Sequence, residues 1–174
     1  MLFVREGAVL AILLAAAGTA AAEGAKPTDP QIAHIAYTAG EIDIKAAQLA
    51  LQKSKSKEVR TFAEDMVRDH EAVNKQALAL VKKLNVTPQD NDTSKALAKQ
   101  ASDKRAELEK LDGAAFDKAY AENEAAYHKT VNGALQSTLI PAADNGELKD
   151  LLTTGLKIFQ GHQGHAEHLA GTLK

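Results

Sequence analysis

The sequence predicts an all-α protein built as a four-helix bundle, and three observations lead to this prediction. Of the 174 residues, 45% are hydrophobic and only 4% are aromatic, with abundant Ala, Leu, Lys and Glu, which is typical of helices packed on helices. Apolar residues recur every three to four positions in four long segments. Short polar stretches or Pro- and Gly-containing loops separate these segments, so each one is expected to form its own helix.

The first 22 residues are predicted to be a secretory signal peptide, leaving residues 23–174 as a single helical domain. Arg5 precedes an apolar run that ends at Ala17, and small residues precede the expected cleavage site near Ala22. The run is shorter than the ~20 residues that a spanning helix needs, so a membrane anchor is the weaker interpretation. We therefore expect the mature protein in the periplasm or outside the cell.

Composition also narrows the classes of partner. The formal net charge is -2 at pH 7 with both signs mixed along the chain, which argues against binding to nucleic acid or to an anionic membrane surface. The chain contains no cysteine, so neither a disulfide nor a cysteine-linked lipid is available to it. No stretch after the signal peptide is long and apolar enough to span a bilayer. The sequence identifies no protein partner and leaves homo-oligomerisation open.

The first two helices are predicted as an antiparallel pair. Asp29-Pro30 is a helix start signal, with Asp29 as the N-cap, and this helix runs to about Ser54 with Asp43 inside its apolar stripe. The polar segment that separates this helix from the next ends at Lys57. It is so short that the second helix must fold back antiparallel to the first. The second helix, capped by Ser56, runs to about residue 84.

The second helix carries His70 in the middle of its apolar stripe. Its neighbour Asp69 points another way around the helix and is expected to be solvated or to pair with Arg68. After a loop around Pro88, residues 93–111 form a thinly amphipathic helix that we interpret as a crossover. Such a crossover would make the second and third bundle helices parallel, the topology of ferritin-like bundles.

The last two bundle helices are predicted over residues 114–138 and from about residue 147 to the end. Glu124 and His128 lie four residues apart on or beside the apolar face of the third helix. Pro141 is expected to begin a loop, and Asp144 is expected to cap the fourth helix. That helix carries His162 at its centre, with His165 beside it.

One polar residue on each bundle helix is expected to meet the others in a central layer. Each lies about 14 to 16 residues from its predicted helix start, which at 1.5 Å per residue places them within roughly one turn of each other. Glu124 and His165, about one turn further along, are candidates for second-shell groups or for ligands of a second ion, although an exposed position near the helix end is the favoured interpretation for His165. The four predicted central residues are Asp43, His70, His128 and His162.

Three interpretations of this layer stay open. A carboxylate and three imidazoles suit a transition metal ion such as zinc, copper or iron. The alternative is a structural, hydrogen-bonded layer in a non-catalytic envelope-stress or interaction protein. A third interpretation is a metal-dependent oxidase that uses Glu124 with Tyr120 or Tyr127. The sequence assigns no catalytic residue and no substrate.

The sequence contains three distinctive motifs: Phe62-Ala63-x-x-Met66-Val67-x-Asp69-His70, Phe116-Asp117-x-x-Tyr120 with His128 eight residues on, and His162 followed by Ala166 and Leu169. Together they resemble the bacterial exported family DUF4142, a domain of unknown function. The resemblance implies a ferritin-like bundle, export, and a label of outer-membrane or exported protein, with no settled activity. Two positions depart from the family pattern: Asp43 replaces the usual glutamate, and Lys157 stands where a proline is common.

A ferritin-type di-iron centre is disfavoured in spite of this fold. Such centres need a Glu-x-x-His pair on each of two helices, because two ions need bridging oxygens. The residues three positions before His70, His128 and His162 are Val67, Ala125 and Phe159. A ferroxidase or oxygenase function is therefore not expected.

Overall fold

The computed structural model describes residues 26–173, and within this range every regular element is a helix, which confirms the all-α prediction. The predicted signal peptide, residues 1–22, lies outside the described residues. None of the described helices combines the length and the apolar character required to cross a membrane. The helices are α1 (Asp29–Lys53), α2 (Lys57–Lys83), α3 (Asp92–Leu108), α4 (Gly113–Ala134) and α5 (Gly146–Thr172).

Contacts at the helix ends fix the direction of each helix. The Gln89 N–H donates to the Pro30 carbonyl at 2.9 Å, and the Lys53 ammonium donates to the Glu109 carbonyl at 3.0 Å. Helix α3 therefore begins beside the start of α1 and ends beside its end, returning the chain along the length of the bundle. Helices α2 and α4 consequently run parallel, which confirms the predicted crossover topology.

The four bundle helices pack as a square with antiparallel neighbours. The closest pairs are α1 with α2 and α4 with α5, while α2 also packs on α5 and α1 on α4. Helix α3 lies mainly against α1, outside the square. All four bundle helices therefore have a face toward the central axis, where the predicted polar residues lie.

Two apolar clusters fill the ends of the bundle, and a polar layer separates them. The first cluster lies near the end of α1 and includes Phe62, Met66, Phe116 and Tyr120. The second lies near the start of α1. Its buried members are Ile32, Ile35, Leu135, Leu139, Ala142, Ala143, Leu148 and Leu152. Both clusters exclude water, so polar groups between them need partners within the protein.

Helix ends agree with the sequence prediction to within a few residues, but two caps were assigned wrongly. Ser56 caps α2 as predicted, accepting from the Val59 N–H at 3.3 Å. The N-cap of α1 is Thr28 rather than Asp29, and that of α5 is Asn145 rather than Asp144. The Asp29 carboxylate instead accepts the Asp144 and Asn145 N–H groups, each at 2.9 Å. It thereby joins the starts of α1 and α5.

The predicted loop at Pro141 is also wrong, because the chain stays helical beyond the end of α4 and through Pro141. A π-helical turn, Leu135–Leu139, leads into a last helical turn, Ile140–Ala142. Proline lacks an N–H and its ring clashes with the carbonyl four residues earlier in an α-helix. The wider π turn changes the hydrogen-bond spacing just before Pro141, as shown by the Ile140 N–H, which donates to Leu135. The chain therefore stays helical until Ala142.

Two glycines in helix interiors are expected to respond oppositely to substitution. A Cβ on Gly40 would lie 2.4 Å from Asn74 Oδ1, and buried Asn74 is held by a hydrogen bond to Glu41. Gly40→Ala should therefore lower the free energy of unfolding by about 1 to 2 kcal/mol. A Cβ on exposed Gly161 meets nothing within 4 Å, so Gly161→Ala should raise it by up to about 1 kcal/mol. Urea unfolding measures both, and equal effects would contradict this packing.

Candidate metal centre

Five ionisable side chains form the polar layer between the two apolar clusters, and all are buried. Helix α1 contributes Asp43, α2 contributes His70, α4 contributes Glu124 and His128, and α5 contributes His162. His162 is the least enclosed, at 7% exposed, whereas the other four are 1 to 2% exposed. These side chains meet because each residue lies within the apolar stripe of its helix, on the face that turns toward the bundle axis.

The three histidines form a tight cluster. One ring nitrogen from each of His70, His128 and His162 lies within 4.8 Å of the others. The ring centroids are 5.3 Å apart for His70 and His162, 5.5 Å for His128 and His162, and 5.7 Å for His70 and His128. Three helices thus bring three nitrogen donors to one point.

The hydrogen bond of His128 determines its tautomer. Its Nδ1 lies 3.0 Å from the Glu124 backbone carbonyl, which can only accept, so Nδ1 carries the proton. Nε2 therefore keeps its lone pair, and this buried atom has no hydrogen-bond partner. A backbone carbonyl that holds one ring nitrogen while the other is left bare is a typical arrangement of metal-ligating histidine.

His162 is held in the same manner by a carboxylate. Its Nε2 lies 3.0 Å from Asp69 Oδ2, and hydrogen bonds from Arg68 and His162 outweigh the effect of partial burial, so the pKa of Asp69 is lowered. Because Asp69 is ionised it accepts, and Nε2 of His162 donates. The other nitrogen, Nδ1, is buried without a partner. It is thus the nitrogen of His162 that is free to act as a donor to an ion.

The His70 ring is positioned by packing rather than by a hydrogen bond. It stacks on Phe159 with ring centroids 4.5 Å apart and planes 3° from parallel. Gly155 makes room for the Phe159 ring, because a Cβ there would lie 3.2 Å from Phe159. Both His70 nitrogens lack a hydrogen-bond partner, and Nε2 lies 3.5 Å from Asp43 Oδ2.

Asp43 and Glu124 form a carboxyl pair beside the histidines. One oxygen of each lies within 4.8 Å of the other and of a His128 ring nitrogen. Burial, and then the nearby charge of Glu124, raise the pKa of Asp43 well above its usual value. Burial raises the pKa of Glu124 to about 7. The pair therefore retains a proton near neutral pH, because two adjacent buried carboxylates repel each other.

The histidines are neutral at the same pH. Burial lowers the pKa of His128 to about 4. Burial and the neighbouring imidazoles lower the pKa of His70 well below its usual value, and burial lowers that of His162 despite Asp69. Neutral imidazole is the form that donates a lone pair to a metal ion.

This donor set fits a transition metal ion. Metal–nitrogen bonds of 2.0–2.1 Å in tetrahedral geometry put ligand nitrogens about 3.4 Å apart, so a modest contraction of the cluster would bring three nitrogens into range. Three imidazoles with nearby carboxylates suit zinc, copper or iron and are poor ligands for calcium or magnesium. Without an ion, the layer leaves five histidine and carboxyl residues with unpartnered buried atoms.

The structure brings together most of the predicted site residues. Asp43, His70, His128 and His162 meet in one layer, and Glu124 belongs to that layer rather than to a more distant shell. His165 does not join them: its side chain is exposed, and its ring contacts Phe62 at 5.0 Å.

Sequence reasoning missed the part played by Asp69. The predicted pairing with Arg68 is present, but the same carboxylate also holds His162. The adjacency of Asp69 and His70 was the available signal, but it carries no information on which helix packs beside α2.

Of the two tyrosines in the oxidase interpretation, Tyr127 donates to the Ala39 carbonyl at 3.3 Å, while the buried Tyr120 hydroxyl has no partner.

Comparison with known proteins places the chain in a family. No curated protein matches it. Among solved structures it is similar to one described as "CopM in the Cu(II)-bound form", with a TM-score of 0.64 and 16% sequence identity over 85% of this chain and 100% of that chain. At this identity the likeness shows the helical fold alone. The family described as "Domain of unknown function (DUF4142)" matches residues 14–169, which confirms the resemblance seen in the motifs: the chain belongs to the DUF4142 family.

Proposed function

We propose that this protein is an exported metal-binding protein, with His70, His128 and His162 as nitrogen ligands and Asp43 and Glu124 as adjacent carboxyl groups. One observation carries the proposal: three neutral imidazoles from three helices bring one ring nitrogen each to within 4.8 Å of the others, and each ring has a buried nitrogen without a hydrogen-bond partner. Burying such groups without partners is costly, at about 1 to 3 kcal/mol each. A bound ion would satisfy one such nitrogen on each of the three rings at once.

Copper, zinc and iron are the candidate ions. One solved structure with this fold is described as the Cu(II)-bound form, which makes copper the first ion to test here. Imidazole is also a ligand for zinc and iron. The predicted signal peptide over residues 1–22 supports export to the periplasm or the exterior. The chain has no cysteine, so an exported form would be stabilised without disulfides.

The competing proposal of a purely structural histidine layer has less support. In such a layer each buried nitrogen would be expected to find a partner in the protein or in an ordered water. His128 and His162 each use one nitrogen in this way, but their second nitrogens and both nitrogens of His70 have none. One ion would take up one of these nitrogens from each ring, whereas the protein's own groups leave all four without a partner.

Metal content tests the proposal directly. Untagged mature protein is expected to hold about one transition metal ion per chain by elemental analysis, because the ligands are preformed. His70→Ala should lose this metal, since it removes a ligand but leaves the helix intact. His168→Ala changes an exposed histidine on α5 and should retain it. Metal-free wild-type protein that takes up neither copper, zinc nor iron would favour the structural layer instead.

A further inference from the structure

We infer that Asp69 is the positioning residue of the centre, holding His162 so that Nδ1 rather than Nε2 faces the other imidazoles. This inference rests on the proposed metal-binding function and adds a residue outside the five in the layer. Its geometric basis is the placement of Asp69 between His162 and the surface, on the seam where α2 packs against α5.

The two oxygens of Asp69 have different partners. Oδ2 accepts from His162 Nε2 at 3.0 Å, and Oδ1 accepts from Arg68 Nε at 2.8 Å. Because both oxygens are engaged, the carboxylate plane is fixed, and so is the ring that it holds. The Asp69 side chain is 26% exposed and that of His162 is 9% exposed, so the carboxylate covers the outer edge of the ring.

Without Asp69, the outer nitrogen of His162 would face solvent at the seam. Either ring nitrogen could then carry the proton, and the ring could turn over about its Cβ–Cγ bond. The other two histidines do not depend on Asp69 in this way, since His128 is held by a backbone carbonyl and His70 by Phe159. His162 is therefore the ligand whose orientation a surface substitution can disturb.

Asp65 provides a matched control. It lies one helical turn before Asp69, and it also pairs with Arg68. The Asp65→Ala variant thus loses a carboxylate and an Arg68 contact at the same surface, but leaves the bond to His162 in place. A third variant, Asp69→Asn, removes the charge but keeps an oxygen that can accept from Nε2–H.

The experiment measures metal affinity and the His162 tautomer. With copper as the probe, Asp69→Ala should weaken binding by about 10- to 100-fold, the usual effect of removing a partner of a metal-ligating histidine. Asp65→Ala should change it by less than about threefold, as for an exposed charge, and Asp69→Asn should lie between them. Competition with a chelator of known affinity gives these ratios, and circular dichroism verifies folding.

The tautomer measurement uses metal-free protein, so it does not depend on whether the proposed function is correct. Nitrogen NMR of wild type and Asp69→Asn should show a protonated Nε2 on His162 with an observable proton. Asp69→Ala should lose that proton signal to fast exchange. An unchanged signal in Asp69→Ala would overturn the inference, as would equal copper affinities for the Asp65→Ala and Asp69→Ala variants. Wild-type protein that binds no metal would overturn the proposed function, and the positioning of a metal ligand with it, leaving only the orientation of His162 by Asp69.

Discussion

Metal-free protein is expected to gain about 5 to 10 °C in Tm when a binding transition metal is supplied at about 100 times its Kd. Selective binding to the folded state at that concentration stabilises it by about 2.7 kcal/mol, and each kcal/mol raises Tm by about 2 to 4 °C in a chain of this size. His128→Ala should show no such gain, because His128 belongs to both groups of potential ligands in the layer.

Two further variants keep this result interpretable. His128→Leu removes the ligand while filling the space, so loss of the metal effect in both His128 variants cannot be attributed to a cavity. His165→Ala changes an exposed histidine on α5 and should preserve the full gain in Tm. A gain that survives in both His128 variants would place the ion elsewhere, and a gain lost in His165→Ala would bring His165 into the site.

The second large effect concerns pH and the carboxyl pair. Burial raises the folded-state pKa of Glu124 from 4.5 to about 7, so the folded protein holds this proton more tightly than the unfolded chain. Below pH 4.5 both states are protonated and burial of the carboxyl has no ionisation cost. As the pH rises toward 7, the unfolded chain releases the proton first, and stability falls. The loss levels off above pH 7 at about 3 kcal/mol.

Glu124→Gln isolates this contribution. In chelator-treated protein, the stability advantage of the variant over wild type should be about 2 to 3 kcal/mol greater at pH 8 than at pH 5. Urea unfolding at the two pH values measures it. Glu122→Gln, exposed on the same helix, is the control. An advantage that is the same at both pH values would show that Glu124 is not the group that resists ionisation. With metal bound, the order should reverse in favour of wild type, because the carboxylate then lies near a cation.

The sequence was sufficient to predict the helices, the crossover and the meeting of Asp43, His70, His128 and His162. Helical periodicity fixes which face each residue occupies, and similar distances from the helix starts fix its level. These are properties of single helices, so they can be read along the chain. The same reasoning failed at Pro141, because a π turn depends on local backbone spacing rather than on periodicity.

The positions of Asp69 and His165 could not be predicted from helical periodicity. Asp69 lies beside the apolar stripe of α2, and only the packing of α5 along that edge brings it to His162. His165 follows His162 by three residues, which rotates it away from the axis and onto Phe62. Glu124 was expected one turn further from the layer, yet its length and its position four residues before His128 let it reach Asp43. Side-chain reach and helix pairing are tertiary properties that no single segment encodes.

A chain without cysteine has no covalent means of joining distant segments, and the centre described above offers a reversible substitute. Its nitrogen donors come from α2, α4 and α5, so an ion held by all three would close two long loops of the chain. Closing long loops removes the most conformational freedom from the unfolded chain. If the proposed ion is bound, its supply would stabilise the fold, and its removal by a stronger ligand would destabilise it.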